Sequence, residues 1–348
     1  MHRKASPLVS IAILLASSGL FVTPGNAANP GIVEIRAARV PLFSGRGDDN
    51  SDAGPAASSG RVWKVGPKEE FTKPSDVSKM VRSGDTVTIA PGTYADCAIW
   101  PRRINGLTIL GTGAIIGDQS CARKGIFVVD SNNVVIRGIT FRHAKVPQHN
   151  GAGIRAEGVN LTVENSRFID NENGILANPK PASTIIIRNS YFQGNGNCVA
   201  QCAHGIYVNR VGLLHIEGSE FVGQHEGHHV KSRALKTELV NNTIHDGPMG
   251  DSSYLVDIPN AGTAIITGNI FEKGPRAQNR SAAIVIGEET QKRGGNPTME
   301  IRIENNSFKN DLGRETIFVR NLSETPASLR ANKIEGPVKP LVEDRNAR

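Results

Sequence analysis

One short stretch near the middle of the sequence concentrates side chains that carry charge or transfer protons. It reads Gly227-His228-His229-Val230-Lys231-Ser232-Arg233-Ala234. If Val230 points into a core, the alternation of side chains along a strand directs Lys231 and Arg233 outward. The stretch therefore predicts an exposed basic site.

Other parts of the chain add polar residues to the same outward face. If short strands repeat at similar spacing, Tyr207 lies on one side of Lys231, and a strand with Tyr254 pointing inward lies on the other. The side chains expected to contact a ligand on this face are Asn209, His204, His228, Asp257 and, farther along the chain, Arg320.

This mixture of side chains suits β-elimination on a uronic acid. That reaction needs a cation to neutralise the carboxylate, a base to remove the C5 proton and an acid to protonate the leaving O4. We expect Arg233 to clamp the carboxylate with its planar guanidinium. Lys231 is the expected base if burial and Arg233 lower its pKa. Tyr207 or a histidine (His204, His228 or His229) is the expected proton donor.

Three other functions stay open at this point. The same site becomes a mannuronan-type C5-epimerase if it returns a proton to the sugar. A glycoside hydrolase needs two carboxylates about 5–9.5 Å apart, for which Asp251 with Asp257, or Asp257 with Glu288 or Glu289, are the available pairs. In a non-catalytic carbohydrate-binding protein the face is simply solvated, and Asp257 is expected to pair with an arginine across neighbouring strands.

No cofactor is expected from these residues. Calcium is an optional addition that would bridge a sugar carboxylate to Asp251 and Asp257, with Glu226 as a further oxygen ligand. Because His228 and His229 are adjacent on one strand, they point to opposite sides and make a poor metal pair.

A repeat that runs through most of the chain positions these residues. A β-rich run is followed by Asn, Gly or Ser and then by an apolar residue, which ends seven copies at positions 141, 168, 192, 221, 244, 271 and 308. Five of the six spacings are 23–29 residues and the last is 37. Such units are too short for propeller blades and lack a leucine lattice. They predict an all-β parallel β-helix, whose stacked coils bury one continuous core.

A second short β-rich motif, such as Gly205-Ile206-Tyr207-Val208, alternates with the first and supplies the outward face. Its first apolar residue is taken as inward, so the residues one and three positions later are expected to point outward. The outward pairs are then Phe127/Val129, Arg155/Glu157, Leu176/Asn178, Tyr207/Asn209, Lys231/Arg233, Leu255/Asp257 and Phe318/Arg320.

Four cysteines permit three disulfide pairings. Cys97 and Cys121 are 24 residues apart, about one coil, which places them on adjacent coils. Cys198 and Cys202 bracket a short loop. The local pairing, Cys97–Cys121 with Cys198–Cys202, is therefore preferred.

The N-terminal region predicts export. Residues 1–27 combine a basic start, an apolar run and small residues before a cleavage point, as in a secretory signal, and residues 28–60 have the composition of a flexible linker. Removing the signal changes the net charge from +7 to 38 − 33 = +5. A basic, secreted or periplasmic monomer without a membrane span suits an acidic polysaccharide. Few aromatic residues and no nucleic-acid-binding motif argue against nucleic acid as a partner.

The entry segment Gly84-Asp85-Thr86-Val87-Thr88-Ile89-Ala90-Pro91-Gly92-Thr93-Tyr94 resembles that of the pectate-lyase-like superfamily. The resemblance implies a single-stranded right-handed parallel β-helix of about 8–10 coils over residues 61–348. It also implies a polysaccharide-active enzyme, most simply a lyase, although this superfamily includes hydrolases, epimerases and adhesins. A Lys/Arg pair such as Lys231 with Arg233 is similar in residue types to those of some β-helix alginate and chondroitin lyases.

Overall fold

The computed structural model describes residues 60–199 and 201–344. The expected signal, the linker up to residue 59 and the last four residues lie outside this part of the chain. Two short helices, α1 (Pro74–Ser78) and α2 (Thr290–Arg293), accompany 29 strands numbered in chain order. The strands are β1 (Val62–Val65), β2 (Thr86–Ile89), β3 (Gly92–Ala95), β4 (Ala98–Trp100), β5 (Asn105–Gly117), β6 (Gly125–Val129), β7 (Asn132–Arg142), β8 (Ala152–Ala156), β9 (Leu161–Glu164), β10 (Arg167–Ile169), β11 (Asn173–Ala177), β12 (Lys180–Arg188), β13 (Tyr191–Gln193), β14 (Ile206–Val208), β15 (Val211–Glu217), β16 (Glu220–Val222), β17 (Val230–Ser232), β18 (Lys236–Val240), β19 (Thr243–His245), β20 (Val256–Ile258), β21 (Thr263–Thr267), β22 (Ile270–Lys273), β23 (Ala282–Ile286), β24 (Ile301–Glu304), β25 (Ser307–Asn310), β26 (Thr316–Asn321), β27 (Ala327–Arg330), β28 (Lys333–Glu335) and β29 (Val338–Glu343).

The strands form a solenoid of about ten coils with three faces. Every ladder between strands is parallel, and each strand pairs with its counterparts in the neighbouring coils, on one side only at the two ends. The first face contains β9, β12, β15, β18, β21, β24 and β27, and the second contains β10, β13, β16, β19, β22, β25 and β28. The long strands β5 and β7 contribute to both. The third face is a separate ten-stranded sheet of β4, β6, β8, β11, β14, β17, β20, β23, β26 and β29.

The repeated apolar residue forms a continuous stack inside the solenoid. Phe141, Phe168, Phe192 and Phe221 are paired in register on successive coils. Their ring centroids are 5.3, 4.6 and 4.5 Å apart. All seven predicted repeats align in this ladder, through Ile244 and on to the last two phenylalanines. The predicted β-helix is therefore confirmed at the level of register.

The polar residues before this stack turn the chain from the first face to the second. Asn165, Asn189 and Asn241 adopt φ values of 49°, 48° and 53°, in the left-handed region that Asn tolerates. The next residue in each coil is buried and bonds to the coil above. Asn242 and Asn269 illustrate the ladder, because the Asn242 Nδ2 donates to the Asn269 Oδ1 at 3.0 Å.

Both preferred disulfides are present in the structure. Cys97–Cys121 joins adjacent coils with a Cα–Cα distance of 5.5 Å. Cys198–Cys202 closes the loop before β14.

The register of the second motif differs from the expected one in three coils. Val128, and not Phe127 or Val129, pairs with Arg155 in the outward column. Leu255 and Phe318 are fully buried. The expected outward pairs Phe127/Val129, Leu255/Asp257 and Phe318/Arg320 are therefore wrong in register. Consecutive residues are buried in or next to each of these strands, as with Leu255 and Val256 or with Phe318 and Val319, so a strict period of two fails there.

Candidate functional site

One column of outward side chains runs along the third face. In chain order it contains Arg155, Leu176, Tyr207, Lys231, Asp257, Val285 and Arg320, each paired with the next on the neighbouring coil. Tyr207, Lys231 and Asp257 are thus direct neighbours, and their strands hold them about 4.8 Å apart along the solenoid.

Lys231 and Asp257 form a largely buried ion pair at the centre of the column. The Lys231 Nζ lies 2.7 Å from the Asp257 Oδ2, and the side chains are 13% and 2% exposed. Asp257 pairs with Lys231 and not with an arginine, as was expected, because the corrected register places it one coil above Lys231. Burial raises the pKa of Asp257 in spite of the attraction of Lys231. Its Oδ1 is buried and has no hydrogen-bond partner among the described residues.

Arg233 makes a protein contact with each of its three nitrogens. Its Nε donates to the Tyr207 hydroxyl oxygen at 3.0 Å, its NH1 to the Asn260 Oδ1, and its NH2 to Glu289 at 3.0 Å. Although burial opposes the charge, the hydrogen bonds to Tyr207 and Glu289 raise the pKa of Arg233. Arg233 is therefore not a free carboxylate clamp in this structure, and it holds the Tyr207 oxygen in place.

Two histidines and a tyrosine stack beside the column. The His204 and His228 rings are 4.9 Å apart and nearly parallel, and Tyr254 stacks on His228 at 5.3 Å. Each histidine Nδ1 accepts a backbone N–H, from His228 and Tyr254 respectively. Burial holds the pKa of both histidines well below the usual value. They are neutral with the proton on Nε2, and the His228 Nε2 lies 3.4 Å from the Asp257 carboxylate.

His229 lies on the other side of its strand, inside the solenoid. It is 1% exposed, and its Nε2 lies 3.0 Å from the buried Asp246. A side chain in this position does not reach a polymer on the outer face. The structure therefore removes His229 from the proton donors expected from the sequence.

The remaining expected residues lie at the margins of the site. Asn209 follows Tyr207 on the third face, and its Nδ2 donates to the Ala177 carbonyl oxygen at 3.0 Å. Arg320 lies two coils beyond Asp257, about 10 Å along the solenoid. It pairs with Asp344 at 3.2 Å and does not contact the central residues.

The donor set does not fit a metal ion. Within residues 60–199 and 201–344, no group of three or more His, Cys, Asp or Glu side chains is arranged to hold one. Asp257 faces Lys231, and the Asp251 Oδ1 accepts the backbone N–H of Glu226. The optional calcium ligands Asp251, Asp257 and Glu226 are therefore not assembled into such a group.

The sequence did not predict the contacts around Arg233, and it suggested Glu289 only as a hydrolase carboxylate. Asn260 and Glu289 contact it directly, and Arg293 lies 3.0 Å from Glu289. Glu289 and Arg293 belong to the segment 287–300 between β23 and β24, 56 residues or more after Arg233. The one sequence signal was the 37-residue spacing between the last two repeats, which marks an insertion at this point.

Comparison with known proteins agrees with this architecture. A family model described as a right handed beta helix region matches residues 180–343, and one described as periplasmic copper-binding protein (NosD) matches residues 82–249. The chain is a right-handed parallel β-helix. No curated protein sequence matches it significantly, and no helix in the described residues is long and apolar enough to cross a membrane.

Several solved structures share this β-helix. An alginate lyase from Paenibacillus sp. is 17% identical, with a TM-score of 0.52, over 76% of this chain and 96% of that chain. Pectate lyase Pel9A is 15% identical, with a TM-score of 0.47, over 83% and 81%. The A-module of mannuronan C-5 epimerase AlgE6 from Azotobacter vinelandii is 15% identical, with a TM-score of 0.43, over 77% and 93%. The similarity to the alginate lyase supports the fold.

Proposed function

We propose that this β-helix is a secreted or periplasmic lyase that cleaves a uronate-containing polysaccharide by β-elimination. The observation that carries the proposal is the adjacency of two pairs on one outward face. Lys231 is bound to the buried Asp257, and Tyr207 accepts a hydrogen bond from Arg233. Together they supply a base and an acid on neighbouring coils. The net positive charge of the chain, the predicted export signal and a β-helix shared with an alginate lyase fit the same substrate class.

Lys231 is the proposed base. Its ammonium must first lose a proton, and the Asp257 Oδ2, 2.7 Å from the Lys231 Nζ, is the proposed acceptor. The neutral amine then takes the C5 proton of the sugar. The C5–H electron pair forms the C4–C5 double bond as the C4–O4 bond breaks.

Tyr207 is the proposed acid. Because its oxygen accepts the Arg233 Nε–H, its own proton is available for the leaving O4. The guanidinium then stabilises the negative charge that remains on the phenol oxygen. Exchange with solvent returns the Lys231 proton to Tyr207 and completes the cycle. The neutral His204 and His228 are proposed to donate Nε2–H hydrogen bonds to sugar hydroxyls.

The carboxylates of the site argue against hydrolysis. Asp257 is committed to Lys231, and Glu289 to Arg233 and Arg293. Glu288 accepts a hydrogen bond from the Tyr254 hydroxyl. A hydrolase needs one free carboxylate and one protonated carboxylic acid facing each other across the bond.

The test is to incubate the protein with alginate, pectate, glucuronan and bacterial exopolysaccharides while following the ultraviolet absorbance of the unsaturated product. We expect absorbance to rise on one of these polymers and to be lost in Lys231→Ala and Arg233→Ala. Lys236→Ala is the matched control, since Lys236 is an exposed lysine on the first face, paired with Glu238.

New reducing ends without absorbance would indicate a hydrolase, and an altered NMR spectrum of an uncut polymer would indicate an epimerase. Binding without any product would indicate a carbohydrate-binding protein. Each of these outcomes contradicts the lyase, and full activity in Lys231→Ala contradicts the assigned site.

A further inference from the structure

A cleft beside Tyr207 is lined by three arginines. Arg210, Arg233 and Arg293 share it with the amides of Asn209, Asn260 and Asn296, and its volume is about 240 Å³. This is below the range of about 300–1,000 Å³ that is usual for pockets binding drug-sized ligands. The arginine cleft, defined by these six residues, therefore suits one small anionic group or a single sugar.

The floor of the arginine cleft is built from buried polar side chains. Asn260 is 8% exposed, accepts the Arg233 NH1 and donates its Nδ2 to the Gly294 carbonyl oxygen at 2.8 Å. Asn296 is 9% exposed and donates its Nδ2 to the carbonyl oxygens of Arg233 and Ala234. These contacts fix the backbone and the guanidinium of Arg233 at one position.

The charge of the cleft is only partly compensated. Glu289 places one carboxylate against two of the arginines, with its Oε2 2.9 Å from the Arg233 NH2 and 3.0 Å from the Arg293 Nε. Although burial has the opposite effect, Arg233 holds the pKa of Glu289 below the usual value. Within the described residues, the Arg210 guanidinium makes no hydrogen bond or ion pair. Three cations thus meet one internal anion.

We propose that the arginine cleft is an oxyanion subsite, and that Glu289 occupies the place of the ligand's oxyanion until the ligand displaces it. The inference rests on the proposed function, because it supplies the carboxylate contact that the occupied guanidinium of Arg233 does not provide. Displacement frees the Arg233 NH2 and Arg293, which then bind the ligand oxyanion together with Arg210. Both a uronate carboxylate and a sugar sulfate ester have the required chemistry.

Glu289 and Arg233 belong to different parts of the chain. Glu289 lies at the start of the short helix α2, in the segment between β23 and β24, and Gln291 to Gly295 in that segment are exposed. By contrast, Arg233 and Asn260 belong to consecutive coils of the solenoid and are buried. Glu289 and Arg293 are therefore carried by one exposed segment, and Arg233 by the coils of the solenoid.

The experiment is an NMR titration of the ¹⁵N-labelled full chain with D-glucuronate, glucose 6-sulfate and glucose, following the arginine Nε signals. These monosaccharides have no O4-linked leaving group, so binding is measured without elimination. We expect one or both anions, but not glucose, to shift the signals. Glu289→Gln should tighten binding about tenfold because no internal carboxylate must be displaced, and Arg210→Ala and Arg293→Ala should weaken it by a similar factor.

Arg137→Ala is the matched control, because Arg137 is an exposed arginine on β7 that pairs with Glu164. A response to glucuronate alone assigns the subsite to carboxylates, and a response to glucose 6-sulfate alone assigns it to sulfate esters. The proposal is overturned if neither anion shifts the signals, or if Glu289→Gln weakens binding as Arg210→Ala does. If Glu289→Gln fails to fold, the Arg293→Ala variant still tests the proposal. Arg293 is 66% exposed, so its replacement should leave the fold intact. The titration measures binding alone, so its outcome does not depend on whether the protein has lyase activity.

Discussion

The interior stack and the outward column of the third face are built on the same coils but follow opposite rules. Inside, Phe141, Phe168, Phe192 and Phe221 repeat one residue type at one position. Outside, the residue type changes at nearly every coil, from Tyr207 to Lys231 to Asp257. Repetition gives the interior its stability, because each coil needs the same partner above and below. Variation gives the column chemistry, because an acid, a base and their supports must differ.

The largest effect is expected where the column loses its proposed acid. Tyr207→Phe removes one hydroxyl and with it the contact from Arg233, so kcat should fall by about 10²–10⁴. The melting temperature should fall less than in a variant of the interior stack, since Tyr207 lies outside the stack and only the Arg233 Nε loses its partner. Turnover on the identified polymer, together with thermal unfolding, checks both statements. A variant that keeps its activity, or one that unfolds, would remove the distinction between column and stack.

A substitution in the interior stack should have the opposite effect, lowering stability without changing the site. Phe192→Ala removes a ring that contacts Phe168 at 4.6 Å and Phe221 at 4.5 Å. We expect the free energy of unfolding to fall by about 3–5 kcal/mol. Under conditions where the variant is folded, its KM should match that of the wild type. Denaturant unfolding measures the first quantity, and a changed KM would show that the interior also shapes the site.

More of the interior stack than of the site could be predicted from the sequence. The seven repeats were visible because each copy ends on an apolar residue, and the structure aligns all of them. Tyr207, Lys231 and Arg233 were placed on one face by the same logic. Their contacts were not predicted. Asp257 was placed on the same face but not beside Lys231, because it follows a loop of irregular length. Glu289 was considered only as a hydrolase carboxylate, because it comes from an insertion whose path has no periodic signal. Contacts that depend on loop length have no periodic signal.

Lys273 is a basic residue inside the solenoid and gives a pH-dependent prediction. Lys273 is fully buried, and its Nζ donates to the Ser253 carbonyl oxygen at 2.5 Å. Burial lowers the pKa of Lys273 to about 8, although Asp246 and Glu272 attract its charge. Between pH 8 and the ordinary lysine value of 10.5 the unfolded chain keeps a proton that the folded chain releases, so stability rises with pH in this window.

The size of this effect follows from the shift. Relative to Lys273→Met, the wild type should gain up to about 3 kcal/mol of unfolding free energy as the pH rises from 8 to 10.5. Well below pH 8 the difference between the two proteins should not depend on pH. Denaturant unfolding of both proteins across that range is the measurement. Other groups titrate equally in both proteins and cancel in the difference. A flat difference would show that Lys273 keeps its charge throughout, as an outward lysine does.

The smallest effect is expected in the polar ladder between the first and second faces. The Asn269 Oδ1 accepts the Asn242 backbone N–H at 2.8 Å, and its Nδ2 donates to the Leu239 carbonyl oxygen at 2.8 Å. Asn269→Ala leaves both groups buried without partners and should cost about 1–3 kcal/mol of unfolding free energy. Asn269→Ser should cost less, because Ser190 and Ser219 occupy the equivalent position in earlier coils and bond there through Oγ. If the two variants are equally stable, the ladder acts through shape alone. A larger loss in alanine shows that hydrogen bonds, as well as stacked rings, hold consecutive coils in register, so that the outward column stays aligned.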